Sequence, residues 1–438
     1  MGDQAARVEL DSLAQQLRSV LNNPDAFAGA DEAQRLEVKQ LARAVSVALE
    51  QPFETVQRLA YSVRLSPLDP TSSDSPSPYA AETHAHVWQG PDIPGNTSIS
   101  GWQPLPLITT RVAQEHKIFA TLAASGKEPV GLGALQSATG LEIGVLESIL
   151  DYLGTQDMVR EVEVRKYAAT KLTNLMLVPL FQDAVTHFHD NCLPGFGALN
   201  TVLSHPDQSL NAFKTGQHSD VDFYTWMETH PVQQGAFHRF MEAQFASLPT
   251  WLDAVDFAAE VGQNLSDEDV AFVDVGGGNG QQCALLKKKV LELKGRVVLQ
   301  DRPPVLEKAL SVEGMEKMSY DYLTEQPVKG ARVYYFRQIM HNNDDETCIR
   351  ILQAQLPAMG PDSVIVIDDK TLPDEKPPQG APGIEYTAGL SIAMKVMFDA
   401  QERRASHWRE LLDRAGLAIK DTRKFTRFDD SAIIAVKK

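Results

Sequence analysis

Apolar positions recur at helical spacing through the first 262 residues, and beyond that they gather into short unbroken runs. Residues 5–21 place Val8, Leu10, Leu13, Leu17, Val20 and Leu21 on one side of a helix that Asn22-Asn23-Pro24 ends. Further helical patterns at 33–49 and 52–63 complete an N-terminal helical segment over 1–65. Residues 66–107 lose periodicity and fill with Pro, Ser, Thr and Gly, the composition of a linker or a wrapping arm. Order returns at 108. Gln114–Ala123, Gly133–Thr139 and Leu141–Leu153 have helical spacing, and Met158–Ala168 alternates like a small hairpin. Helix, turn, helix and wing over 108–180 predict a winged helix. Residues 172–262 are mostly helical and rich in Phe and Met, and we assign 181–262 to an apolar substrate-pocket region. From 263 to 438, strands expected at 271–276, 296–301, 316–320, 331–337, 363–368 and 431–437 alternate with helices. That alternation predicts an α/β fold with a doubly wound, mainly parallel sheet.

Ligands of such sheets sit at the carboxyl ends of the strands. The first strand ends there in Phe272-Val273-Asp274-Val275-Gly276-Gly277-Gly278-Asn279-Gly280. The glycines allow a tight turn and close backbone approach before the helix-compatible run Gln281–Glu292. Gln281 stands where a dinucleotide fingerprint needs its third glycine. What remains, Asp274-x-Gly276-x-Gly278-x-Gly280, is the form expected for S-adenosyl-L-methionine (SAM). Asp301, at the end of the next strand, has the spacing of a carboxylate that grips two ribose hydroxyls. His341 follows the strand Val333–Phe336 on the same edge, where an imidazole can act as general base. Asp368 and Glu402 are the acids that could orient it.

The net charge of −17 disfavours nucleic acid and anionic membranes as partners. The expected groove-reading helix, Leu141–Leu153, carries Glu142, Glu147 and Asp151 and no Lys or Arg, which argues against DNA reading. No apolar run reaches the length of a bilayer span, and the first residues lack the regions of a secretory signal. Cys192, Cys283 and Cys348 have no paired spacing for zinc or redox work, so we expect no metal and a reduced, cytoplasmic setting.

Four segments carry a resemblance: Val273–Gly280, Gln300-Asp301-Arg302-Pro303, Tyr334–Glu346, and Gln401-Glu402-Arg403 followed by Trp408-Arg409-Glu410-Leu411-Leu412. Over 272–417 the chain resembles the plant-type, class II small-molecule O-methyltransferases found in fungal secondary metabolism. The likeness extends more loosely over 105–438. It implies a C-terminal Rossmann-like class I methyltransferase domain behind a mainly helical, winged-helix dimerisation domain, and hence a homodimer. By the same resemblance Asp274, Gly276, Gly278 and Gly280 would cradle the methionine part of SAM, and Asp301 its ribose. Asp321 and Tyr322 would contact adenine, and Arg337 takes a slot usually held by Lys. His341 matches the catalytic base, Glu402 one supporting acid, and Asp368 stands where a second, usually Glu, is found. Ala393 and Met397 align with substrate-facing positions.

The implied reaction is direct displacement: His341 deprotonates a phenolic or enolic hydroxyl as its oxygen attacks the SAM methyl. The implied substrate is a small aromatic or polyketide-type secondary metabolite. Where the family usually has His-Asp-Trp, this chain has His341-Asn342-Asn343. Relatives on this fold also include SAM-dependent pericyclases and dehydratases, in which Arg337 and His341 would act as electrostatic catalysts. A non-catalytic pathway regulator is the third reading.

Overall fold

The computed structural model describes residues 104–376 and 384–438, apart from 246 and 247, with short pieces of the first 103. The chain forms two compact units, residues 1–55 and 56–438. In the first, the described positions within the expected helices 5–21 and 33–49, among them residues 12–17, are helical. The expected helix 52–63 lies outside the described residues.

In the second unit, helices Leu105–Glu115, Ile118–Ala124, Leu132–Thr139 and Ile143–Thr155 precede the hairpin Val159–Glu163/Lys166–Ala169. Val130–Gly131 pairs with the hairpin to make three strands. The Glu142 carboxylate accepts from the Gly144 and Val145 amides and so starts the fourth helix just after the expected Leu141. The following helices bury Phe181, Phe188, Phe213, Phe223 and Phe240 in one core. Val396 and Met397 join that core from helix Ile384–Phe398, which belongs to the C-terminal half of the chain.

The large sheet contains β1 (Val270–Val275), β2 (Arg296–Asp301), β3 (Met315–Ser319), β4 (Val333–Arg337), β5 (Val364–Leu372), β6 (Arg403–Arg404), β7 (Leu417–Lys424) and β8 (Asp430–Lys437). Their order is β7-β8-β5-β4-β1-β2-β3, with β6 paired to the end of β5. All pairs are parallel except those of β8 with β5 and β7. The parallel strands are apolar on both faces because helices cover both. Along β5, Ile365 and Ile367 enter one core and Val364 and Val366 the other. That alternation decides which face each acid at the strand's end reaches. Strand β7 was not expected from the sequence. Its Leu-Ala-Ile start gives way to Lys-Asp-Thr-Arg-Lys, and a bulge between Ile419 and Asp421 breaks the alternation. Among the described residues no helix is long and apolar enough to cross a membrane.

Candidate active site

The glycine loop closes the carboxyl end of β1. Gly276, Gly278 and Gly280 have φ of 68°, 60° and 84°, a conformation that side chains oppose. Their surroundings differ. A Cβ on Gly276 would lie 2.7 Å from Ile339, and one on Gly280 would lie 3.1 Å from both Leu299 and Met315. At Gly278 a Cβ would meet nothing within 4 Å, so this glycine is the one that faces open space. Gly277 is the most confined, its Cβ position falling 2.3 Å from Asp274 Cγ and 2.6 Å from Leu299.

Asp274 therefore lies under the loop. It is wholly buried, Cys283 Sγ donates to its Oδ2 over 3.6 Å, and its Oδ1 has no partner among the described residues. Burial pushes its carboxyl up to about 7. Asp301 stands at the rim. Its Oδ2 accepts from the Gly278 amide (2.9 Å) and its Oδ1 from the Arg302 amide (2.7 Å), which ties the end of β2 to the open part of the loop. Burial raises the Asp301 carboxyl despite these two bonds. Tyr322 is half-buried beside the Gly276 position, 3.9 Å away, with Asn343 next to its hydroxyl. Asp321 is exposed and accepts from the Leu323 amide.

The chain leaves β4 through Gln338, a non-glycine residue at φ 51°, and a short turn over Met340–Asn342 presents His341. Its Nδ1 lies 2.8 Å from Glu402 Oε1, with both side chains buried; Glu402 Oε2 has no partner among the described residues. His341 Nε2 carries no hydrogen bond among the described residues. Burial works against a charged imidazole here, but Glu402 and then Asp369 outweigh it and raise the His341 pKa above its ordinary value.

The period of two along β5 separates Asp368 from Asp369. Asp368 turns to the face of Tyr335, whose hydroxyl donates to it, and Arg337 Nε lies 3.7 Å from the same carboxylate. Burial lifts Asp368 to about 6. Asp369 turns to the face of His341. Its Oδ2 accepts from the Met340 amide (3.2 Å), its Oδ1 has no partner among the described residues, and burial raises the carboxyl to about 7. The structure thus groups His341 with Glu402 and Asp369, and Arg337 with Asp368. Ala393 and Met397 are buried one helical turn apart on Ile384–Phe398. A cavity of about 700 Å3 on the outer side of this helix, lined by Leu199, Leu203 and Ile392, includes neither Gly278 nor His341.

Two further residues belong to the site and were not singled out from sequence. The Tyr224 hydroxyl accepts from Asn342 Nδ2 (3.4 Å), and its ring stacks on Phe398. Arg403, next to Glu402, reaches the backbone on both sides of His341.

Comparison with known proteins bears on the family and the fold. The O-methyltransferase domain model matches residues 264–418, which span the glycine loop, His341 and Glu402. The O-methyltransferase okaF of Penicillium ochrochloron is 33% identical over 348 residues, covering 76% of this chain and 88% of its own. The structure of LepI in complex with SAM superposes with a TM-score of 0.69 at 24% identity, covering 100% of both chains. A solved structure described as a pericyclic reaction enzyme gives the same TM-score and identity over 99% of this chain and 100% of its own. The solved structures share the fold, and with 33% identity to okaF at that coverage the chain belongs to the O-methyltransferase family.

Proposed function

We propose that this protein is a SAM-dependent O-methyltransferase that acts on a phenolic or enolic hydroxyl of an aromatic or polyketide-type secondary metabolite. The observation that carries the proposal is the buried His341–Glu402 pair at the same sheet edge as Gly278 and Asp301. The residues at that edge fit the cofactor. Gly278 leaves room for close approach, Asp301 offers a carboxylate to a diol, and the acidic surroundings of Asp274 and Asp301 suit a cation. When bound, SAM supplies the activated methyl group. Glu402 holds the Nδ1 proton of His341, which leaves Nε2 as the acceptor for the substrate's hydroxyl proton. The same carboxylate stabilises the imidazolium that results. The Asp369 carboxyl lies on that side and also favours the imidazolium, while Asp368 anchors Arg337 on the other face of the sheet. Relatives that are 30%, 33% and 32% identical to this chain carry O-methyltransferase names. Base catalysis of this kind is worth about 10²–10⁴-fold, so His341→Ala should lose that factor in turnover and keep its SAM affinity. An unchanged rate would reject His341 as the base.

The module over 108–180 we read as winged-helix-like and dimerising, supported by the exposed Ile143 and Val145 on its fourth helix. A monomeric mass by light scattering at micromolar concentration would contradict that.

A further inference from the structure

Arg403 is a fully buried cation that the base pair itself does not use: its side chain has 0% exposure. A buried guanidinium needs partners for its donors, and among the described residues its three hydrogen-bond partners lie on one short segment. Nη1 donates to the Met340 carbonyl (2.8 Å), Nη2 to the Asn343 carbonyl (2.7 Å), and Nε to Asp345 Oδ1 (2.9 Å). The Trp408 ring covers the guanidinium at 5.5 Å. The two carbonyls bracket His341-Asn342. The Met340 residue is held from both ends, its amide by the buried Asp369 carboxyl and its carbonyl by the buried cation Arg403. A staple that only joined helix Asp345–Gln355 to β6 would need the Asp345 contact alone. The two carbonyl bonds go to the turn that presents the base.

We propose that Arg403 is a positioning residue for His341, fixing the backbone of the 340–343 turn while its neighbour Glu402 fixes the ring. This rests on the reading of His341 as general base. Two adjacent residues, Glu402 just before β6 and Arg403 at its start, thereby set both the tautomer and the place of one imidazole. Misplacing a reacting group by about 1 Å can cost about 10²-fold.

The test is Arg403→Lys, with Arg403→Gln beside it, in the full chain. Lys keeps the charge but cannot serve three separated acceptors at once. Turnover should fall by about 10- to 100-fold with SAM affinity and the acceptor KM held within about twofold. The His341 titration, followed by NMR of histidine-labelled protein, should move down toward the ordinary value as the Glu402 contact loosens. A purely structural role would lower thermal stability and leave that titration unmoved, and folded variants with wild-type turnover and titration would overturn the proposal. The NMR readout stands even if the wild type transfers no methyl group, so failure of the methyltransferase reading is separately visible. If neither variant folds, hydrogen exchange of the wild type decides. Amides of Met340–Asn343 protected like those of β4 and β5 support the clamp, and exchange typical of a loop overturns it.

Discussion

Replacing Glu402 by Gln isolates the charge in the base pair, because Gln keeps the size and an oxygen that can still accept from Nδ1. The wild-type contact is 2.8 Å long, and the side chains are 10% and 1% exposed for His341 and Glu402, so solvent screens little of it. A hydrogen bond to a charged group in such a setting is worth about 1.5–3 kcal/mol. The stabilisation concerns the imidazolium that forms as the proton leaves the substrate, so it appears in the barrier. At 1.36 kcal/mol per tenfold, turnover should drop by about 10- to 150-fold. The pH dependence carries a sign as well. Glu402 and Asp369 raise the His341 pKa against burial, so the acid limb of the wild-type rate lies above the ordinary histidine value. Loss of the Glu402 charge should move that limb to lower pH. Stopped assays of methyl transfer across pH 5 to 9, with SAM saturating, read both effects. A variant that turns over like wild type, or whose acid limb stays in place, would refute the assignment of Glu402.

Three other outcomes follow from the same geometry. Gly277→Ala forces a Cβ against Asp274 and Leu299 and should cost about 1–3 kcal/mol in denaturant stability, whereas Gly278→Ala should chiefly weaken SAM binding in calorimetry. Asp301→Asn should weaken SAM binding by about 10- to 150-fold, from the loss of charge-assisted hydrogen bonds; an unchanged Kd would remove Asp301 from the cofactor site. The folded Asp369 carboxyl titrates above its unfolded value, so its contribution to stability is present below about pH 4 and lost as pH rises through about 7. Asp369→Asn should therefore gain thermal stability relative to wild type between those limits, and a difference independent of pH would contradict the raised pKa.

Sequence alone made the parallel strands legible, because strands covered by helices on both faces are continuous apolar runs. Expected 316–320 and 363–368 became Met315–Ser319 and the longer Val364–Leu372. Strand β7 has no such signal, since one face is polar and a bulge interrupts it. At the site, His341 and Glu402 could be paired because a motif supplies both. The faces of Asp368 and Asp369 could not be told apart, since the parity of a strand is visible only once one residue is placed in a core. Arg403 was illegible for another reason. An arginine after a glutamate reads as a solvated charge, and its role depends on a turn 60 residues earlier being folded around it. The three adjacent glycines look alike in the sequence, yet only the fold separates Gly278, open to a ligand, from Gly277, packed on Asp274.

The most direct test of the central claim is mass spectrometry of the purified protein incubated with SAM and a panel of phenolic polyketides. The account predicts S-adenosylhomocysteine and a one-methyl gain in substrate appearing together, and both fading in His341→Ala. SAM that binds without being consumed, with an isomerised or dehydrated product of unchanged methyl count, would contradict methyl transfer and favour pericyclic chemistry on this fold.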